Sequence, residues 1–196
     1  MSIEVRPAAV FEDVKALVGP KSPDASVCWC LSYRIPSKVN NAMRGQERGA
    51  FVATLLDEGP LGVLAYDGDV PVGWAAVAPR ADTTFARNRK IPHVDDLPVW
   101  SLWCIRVRPG HRGKGISHRL IEGAIAFARD GGAPVLEAYP LDNGTAKVDL
   151  TMAYAGLRSN FEAAGFEHVA DTTSVLSGHP RVLMRKDLRS GDTATP

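Results

Sequence analysis

Residues 108–120 read RPGHRGKGISHRL. Three glycines, Gly110, Gly113 and Gly115, sit among arginine, lysine and histidine immediately before an apolar pattern of helical period. That pattern (Ile116, Leu120, Ile121, Ala124, Phe127, Ala128) runs to Gly131–Gly132, so the spacing predicts a helix from about Gly115 to Arg129. The first amides of a helix lack intrahelical acceptors and carry the positive end of its dipole. Glycines, having no Cβ, let a ligand approach that backbone closely. The stretch therefore reads as a pyrophosphate cradle whose flanking cations add charge-assisted contacts. The plainer reading is a glycine-rich loop with solvated basic side chains.

Working outward, Val99–Val107 is a continuous apolar run, as expected of a central strand buried on both faces. Val135–Tyr139 is another, so the cradle lies inside a strand–turn–helix–strand unit. Upstream, Ile3–Arg6 reads as a strand and Val10–Val18 as a helix stopped by Gly19–Pro20. Val27–Tyr33 reads as extended, and a second helix is expected over about Lys38–Asp57. Leu61–Tyr66 and Val70–Ala78 are strands joined at Asp67-Gly68-Asp69. Pro79–Pro98 is a long loop carrying Arg80, Arg87, Arg89 and Lys90. Downstream come a helix over Ala153–Ala164 and strands near Phe166–Asp171 and Arg181–Lys186. The expected fold is α/β: a mixed, mostly antiparallel sheet of about six or seven strands flanked by helices. A single domain is expected over residues 1–189, with residues 190–196 a disordered tail.

Neither familiar nucleotide loop fits. In G-x-x-x-x-G-K-[ST], Arg108 falls on the first glycine and Gly115 replaces the metal-binding hydroxyl residue; in G-x-G-x-x-G, His118 replaces the third glycine. The chain has 196 residues, 45% hydrophobic and 23% charged, with formal net charge +1. That balance gives no global attraction to nucleic acid or an acidic membrane, so anion binding must be local. No segment approaches the apolar length of a membrane span, and the amino terminus lacks the pattern of a secretory signal. Three cysteines argue against a disulfide framework and for a reducing, cytoplasmic setting.

Arg112-Gly113-Lys114-Gly115-Ile116-Ser117 resembles the R/Q-x-x-G-x-G/A signature of GCN5-related N-acetyltransferases, with serine at the last position. CIRVRP at a strand end and NFEAAGFEHV some 40 residues after the helix resemble that family's surrounding segments. The resemblance implies acetyl-CoA as co-substrate, with its pyrophosphate on the amides of Arg112, Gly113, Lys114, Gly115, Ile116 and Ser117. It implies that Ile105 and Val107 offer backbone groups to pantetheine and the thioester carbonyl, from a strand that bulges and diverges from its neighbour. Arg108, Lys114 and Arg119 become candidates for further phosphate contacts. The implied activity is N-acetyl transfer by direct attack in a ternary complex, to a primary amine on a small molecule or a protein lysine. A non-catalytic acyl-CoA-binding sensor is the alternative.

An amine must lose its proton before attack, and a departing thiolate needs one. Aligned on Gly165-Phe166, the family's proton-donating tyrosine falls on Phe161, which has no proton to give. Tyr154, two helical turns earlier, is a candidate acid with a core-edge tyrosine as its plainer reading. Glu137, alone among apolar neighbours in its strand, is the candidate base, against a structural ion pair with an arginine. Trp29 and Tyr33 are candidates for the acceptor pocket. Cys28 and Cys30 would face the same side of a strand as small buried thiols, and no metal site is expected. An amine acceptor is the expected partner, nucleic acid and membrane are not, and a homodimer is left open.

Overall fold

A computed structural model describes residues 2–22, 25, 27–149 and 153–189, and within these the chain forms seven strands and five α-helices. The tail expected to be disordered, 190–196, lies outside the described residues. In order come β1 (Ile3–Pro7), α1 (Phe11–Val18), α2 (Ser37–Ala42), α3 (Gln46–Glu58), β2 (Gly62–Asp67) and β3 (Val70–Pro79). They are followed by β4 (Trp100–Val107), α4 (Ile116–Asp130), β5 (Val135–Ala138), α5 (Arg158–Ala163), β6 (Glu167–Leu176) and β7 (His179–Asp187). The strands make one mixed sheet in the order β1-β2-β3-β4-β5-β7-β6. Every neighbouring pair is antiparallel except β4 and β5.

β2 and β3 are buried along nearly their whole length because helices cover both faces. The apolar stripe of α4 (Ile116, Leu120, Ile121, Ala124) packs one face together with Leu102, Phe161 and Phe166. Gly123 lets α4 lie against β1, since a Cβ there would stand 2.3 Å from Val5 Cγ1. On the opposite face, Val14, Val18 and Val52 from α1 and α3 pack with Trp29, Trp74, Trp103, Phe85 and Tyr139.

β4 is irregular at both of its borders. Opposite β3, Ala76 pairs with Cys104 and Val77 with Leu102, so Trp103 is an extra residue, a β-bulge. Trp103 and Cys104 consequently point to the same face, with α1 and α3. The alternation resumes shifted by one, putting Ile105 and Val107 on the α4 face beside Trp100 and Leu102. Beside β5, pairing lasts for three residues, Trp100–Leu102 with Leu136–Ala138, and then the strands separate.

Several expected elements change at positions with a physical cause. Val27–Tyr33 is not a strand. Trp29 and Cys30 adopt left-handed φ of 52° and 56°, and turns run through Ile35. The expected helix over Lys38–Asp57 is split into α2 and α3 at Gly45, whose φ is 48°. The expected helix over Ala153–Ala164 is confined to α5, because Gly156 takes φ of 80°. β6 and β7 run longer than their apolar cores, closed by a tight Ser177-Gly178 turn. The long loop is pinned: buried Arg80 donates to the carbonyls of Phe85, Ile91 and Pro92.

Candidate active site

The turn after β4 is built by φ. Gly110, Gly113 and Gly115 take 85°, 75° and 73°, values at which an L side chain is strained. Gly115 is the N-cap of α4 and no side chain caps the helix. None of the amides from Arg112 to Ser117 has an acceptor within the described chain. The space where a Cβ of Gly113 or Gly115 would stand is open. Arg112 and Lys114 are exposed. Six amides without an acceptor, the start of a helix and two cations with no carboxylate partner among the described residues are the donor set a diphosphate would need. Arg119, by contrast, pairs with Glu122 at 2.9 Å on the outer side of α4, so its expected phosphate contact is not favoured.

Where β4 leaves β5, the chain supplies its own backbone. The Ile105 amide donates to the Tyr154 carbonyl at 2.6 Å. Leu141 and the Gly156–Arg158 segment exchange bonds of 3.0 and 2.9 Å, continuing β5 past its named end. The Ile105 N–H, expected to serve a ligand, is thus occupied. Val107 differs. Its neighbour Arg108 donates to Val72 of β3, so by antiparallel alternation the polar backbone groups of Val107 face away from β3, toward the divergence.

On the α1 side of this divergence lie three polar side chains from distant parts of the sequence. The Tyr33 and Tyr154 hydroxyls are 3.4 Å apart, and Arg181 Nη1 donates to Tyr33 Oη at 3.3 Å. Arg181 Nε donates to the Tyr139 carbonyl at 2.8 Å. Arg181 is 2% exposed, and its guanidinium faces the rings of Tyr33, Phe85 and Tyr139. Tyr33 is stacked on Phe85 at 4.6 Å. Burial, then the hydrogen bond to Tyr33, pushes the Tyr154 phenol well above the ordinary tyrosine range. Tyr154 therefore holds its proton at neutral pH. It does not share a helix with Phe161, as expected from the spacing; Phe161 is fully buried on the α4 face, edge-on to Phe166.

Glu137 is corrected outright. One oxygen, Oε2, accepts from Arg80 at 2.8 Å and from the Tyr139 hydroxyl at 2.9 Å. The other, Oε1, accepts from Arg185 at 2.7 and 2.9 Å. Arg185 in turn holds Asp95 of the long loop. A wholly buried carboxylate gripped by two guanidiniums anchors structure and has no oxygen left to take a substrate proton. Burial, followed by the charge of Glu137, pushes the Tyr139 phenol up as well.

Trp29 is likewise not at this cleft. It is 6% exposed, stacks on Phe11 at 6.0 Å and fills the space beside Gly19 and Gly49, between α1 and α3. Cys28 is exposed; Cys30 and Cys104 are buried with their sulfurs 3.1 Å apart. No group of His, Cys, Asp or Glu among the described residues is placed to hold a metal ion. No helix among the described residues is long and apolar enough to cross a membrane. Sequence reading missed Arg181, because a lone arginine at a strand start carries no periodic or motif signal. The bulge implied by the resemblance is present, but its position at Trp103 leaves no trace in the run of apolar residues in β4.

A glycine cradle at a helix start, beside two parting parallel strands, defines an acyltransferase class, and the comparisons agree. The chain belongs to the acetyltransferase (GNAT) family, whose model matches residues 31–150. No curated protein matches. Among solved structures, the chain is similar to yncA of Salmonella typhimurium, solved with acetyl-CoA (18% identity, TM-score 0.57, covering 100% of this chain and 98% of that one). It is similar to the PaiA N-acetyltransferase of Thermoplasma acidophilum in complex with coenzyme A (14%, 0.54, 95% and 99%). A chain of the NatC complex bound to Gag peptide and CoA also matches (17%, 0.53, 95% and 99%).

Proposed function

We propose that this protein is an acetyl-CoA-dependent N-acetyltransferase, formed by one domain over residues 1–189, that acetylates a primary amine held on the α1 side of the divergence between β4 and β5. The observation that carries the reading is the set of unpaired amides from Arg112 to Ser117 at the start of α4. They would hold the diphosphate, with Arg112 and Lys114 adding charge, while Val107 presents its backbone polar groups to the pantetheine arm. The co-substrate, when bound, supplies an acetyl thioester that an amine can attack directly, with no covalent enzyme intermediate.

The chain's own contribution is positioning and one proton. Tyr154 projects its hydroxyl at the divergence and keeps it protonated, so it is the acid for the departing thiolate. Arg181 can only donate, so Tyr33 accepts from it, and the Tyr33 oxygen keeps a second lone pair toward the Tyr154 hydroxyl. With Glu137 committed to Arg80 and Arg185, no carboxylate base stands at the site among the described residues, and water is the proton acceptor for the amine. Relatives of the same fold are solved with acetyl-CoA or CoA and one with a peptide, which supports the donor and leaves both acceptor classes in play. Three unbridged thiols suit a reducing cytoplasm.

The test is calorimetric titration with coenzyme A, followed by thiol release from acetyl-CoA across a panel of amines and peptides. Binding with acceptor-dependent release is expected. Binding with no release for any acceptor would instead identify an acyl-CoA sensor, and absence of binding would remove the reading altogether.

A further inference from the structure

Arg181 contrasts with Arg80, the other buried arginine among the described residues, and with the partly buried Arg185. Arg80 and Arg185 are saturated: both pair with Glu137, Arg185 also with Asp95, and Arg80 with three loop carbonyls. Arg181 is at least as deeply buried, but among the described residues it has no carboxylate partner and its Nη2 has no hydrogen-bond partner. A guanidinium carries five N–H donors; two are used here, one on the Tyr139 carbonyl and one on Tyr33. The faces of Tyr33, Phe85 and Tyr139 offset part of the charge but cannot accept those in-plane hydrogens. Burying an unpaired cation is costly, and a chain that tolerates the cost at one place needs a reason there.

The place is informative. Arg181 lies under Tyr33, which is in hydrogen-bond contact with Tyr154, whose carbonyl sits on the Ile105 amide where β4 opens. Both contacts that cover the guanidinium are long, 3.3 Å for Arg181–Tyr33 and 3.4 Å for Tyr33–Tyr154, the weak end of the hydrogen-bond range. Both tyrosines are partly exposed. An incoming carboxylate can therefore displace the Tyr33 hydroxyl from Nη1, take Nη1 and Nη2 together in a planar fork, and accept a further hydrogen bond from the Tyr33 hydroxyl once it has turned.

We propose that Arg181 and Tyr33 form a carboxylate-recognition site for the acetyl acceptor, so that the acceptor is an amino-carboxylate, a free amino acid or close analogue, rather than an internal lysine of a protein. This rests on the placement of the acceptor amine on the α1 side of the divergence and deepens it by naming the substrate class. The unpaired fork on Arg181 is complementary to two carboxylate oxygens and to nothing on an uncharged amine. A site built to pair with a polar group rejects a ligand lacking it strongly, because its own buried donors are then left unpaired.

The experiment compares each standard amino acid with its decarboxylated amine in thiol release from acetyl-CoA, and in thermal shift of the CoA-loaded protein. The best amino acid is expected to exceed its amine by about 100-fold in kcat/KM, the difference lying mainly in KM. It should also raise Tm where the amine does not. Arg181→Gln should collapse that ratio to near unity and abolish the Tm shift. Arg181→Lys, a point charge without the fork, should retain the preference about tenfold weakened. Should Arg181→Gln fail to fold, judged by loss of coenzyme A binding, the wild-type ratio and Arg181→Lys decide. Equal kcat/KM for acid and amine in the wild type, or an unchanged ratio in Arg181→Gln, overturns the proposal. If no amine is acetylated although coenzyme A binds, the transferase reading fails; the Tm shift with amino acids and its loss in Arg181→Gln then decide the carboxylate site by themselves.

Discussion

The amide of Ile105 is bonded to the carbonyl of Tyr154 at 2.6 Å, so a segment 49 positions later in the chain closes the mouth of the parting between β4 and β5. Val107, two residues on, faces the same parting with no such partner among the described residues. Amide hydrogen exchange is expected to be slow at Ile105 and fast at Val107 in the free protein. Adding coenzyme A should slow Val107 by at least about tenfold. Fast exchange at Ile105 in the free protein would contradict the closure.

The cradle can be tested without touching charge. Gly115→Ala places a Cβ at φ of 73°, which costs roughly 1–2 kcal/mol for an L residue. The new methyl meets no protein atom within 4 Å, so it would occupy open space beside the unpaired amides. Tm should fall by several degrees while the Kd for coenzyme A, by calorimetry, weakens by at least tenfold. Lost stability with unaltered affinity would place the ligand elsewhere.

Tyr154→Phe should lower kcat by about 100-fold at neutral pH with little change in coenzyme A affinity. The sign of the pH effect follows from the raised phenol. An acid whose folded value lies above that of free tyrosine stays loaded past the pH at which free tyrosine ionises. The alkaline limb of the wild-type kcat profile is therefore expected above pH ~10, and a fall in kcat near neutrality would assign the proton to another group.

Glu137→Gln should act through folding. Breaking a buried pair by removing one partner costs about 3–5 kcal/mol, and here two guanidiniums lose their counter-ion. A lower urea midpoint is expected, with faster proteolysis at Arg87–Lys90 and an unaltered shape of the pH–rate profile. A profile altered in shape would return Glu137 to the chemistry. The outer tie of the same cluster is acid-sensitive. The Arg185 guanidinium holds Asp95 below its usual carboxylate range, so its contribution is present above the ordinary aspartate value and is lost as pH falls through the depressed one.

Thiol chemistry separates the cysteines. Cys28 is exposed, whereas Cys30 and Cys104 are buried against each other, and their mutual hydrogen bond followed by burial pushes the Cys104 thiol up. Native protein should take up one equivalent of a maleimide, at Cys28, and the other two only after denaturation.

How much of the fold and site is legible in the sequence depends on whether a residue's role is local. The turn from Arg112 to Ser117 announces itself, because positive φ, missing caps and a following apolar stripe are properties of adjacent residues. The strand–helix–strand unit around it follows for the same reason. Glu137 is visible as an odd residue in an apolar strand, but its two arginines lie 57 and 48 positions away, and only the fold shows that they saturate it. The spacing of Tyr154 from Phe161 has helical period, yet Gly156 breaks the helix and sends the two rings to opposite faces of the sheet. The chemistry of Trp29 suits a pocket residue, whereas its left-handed backbone turns it into the space between two helices.

The extra residue at Trp103 works as a frame-shift within a strand. Upstream of it even-numbered side chains meet α4, and downstream odd-numbered ones do. Straightening the ladder with every residue retained would swap the faces of Cys104 and Ile105 and reverse which amides look into the parting. Any grafting of this strand onto another scaffold must therefore carry the irregularity with it, since a regularised copy would keep every side chain and still aim them the wrong way.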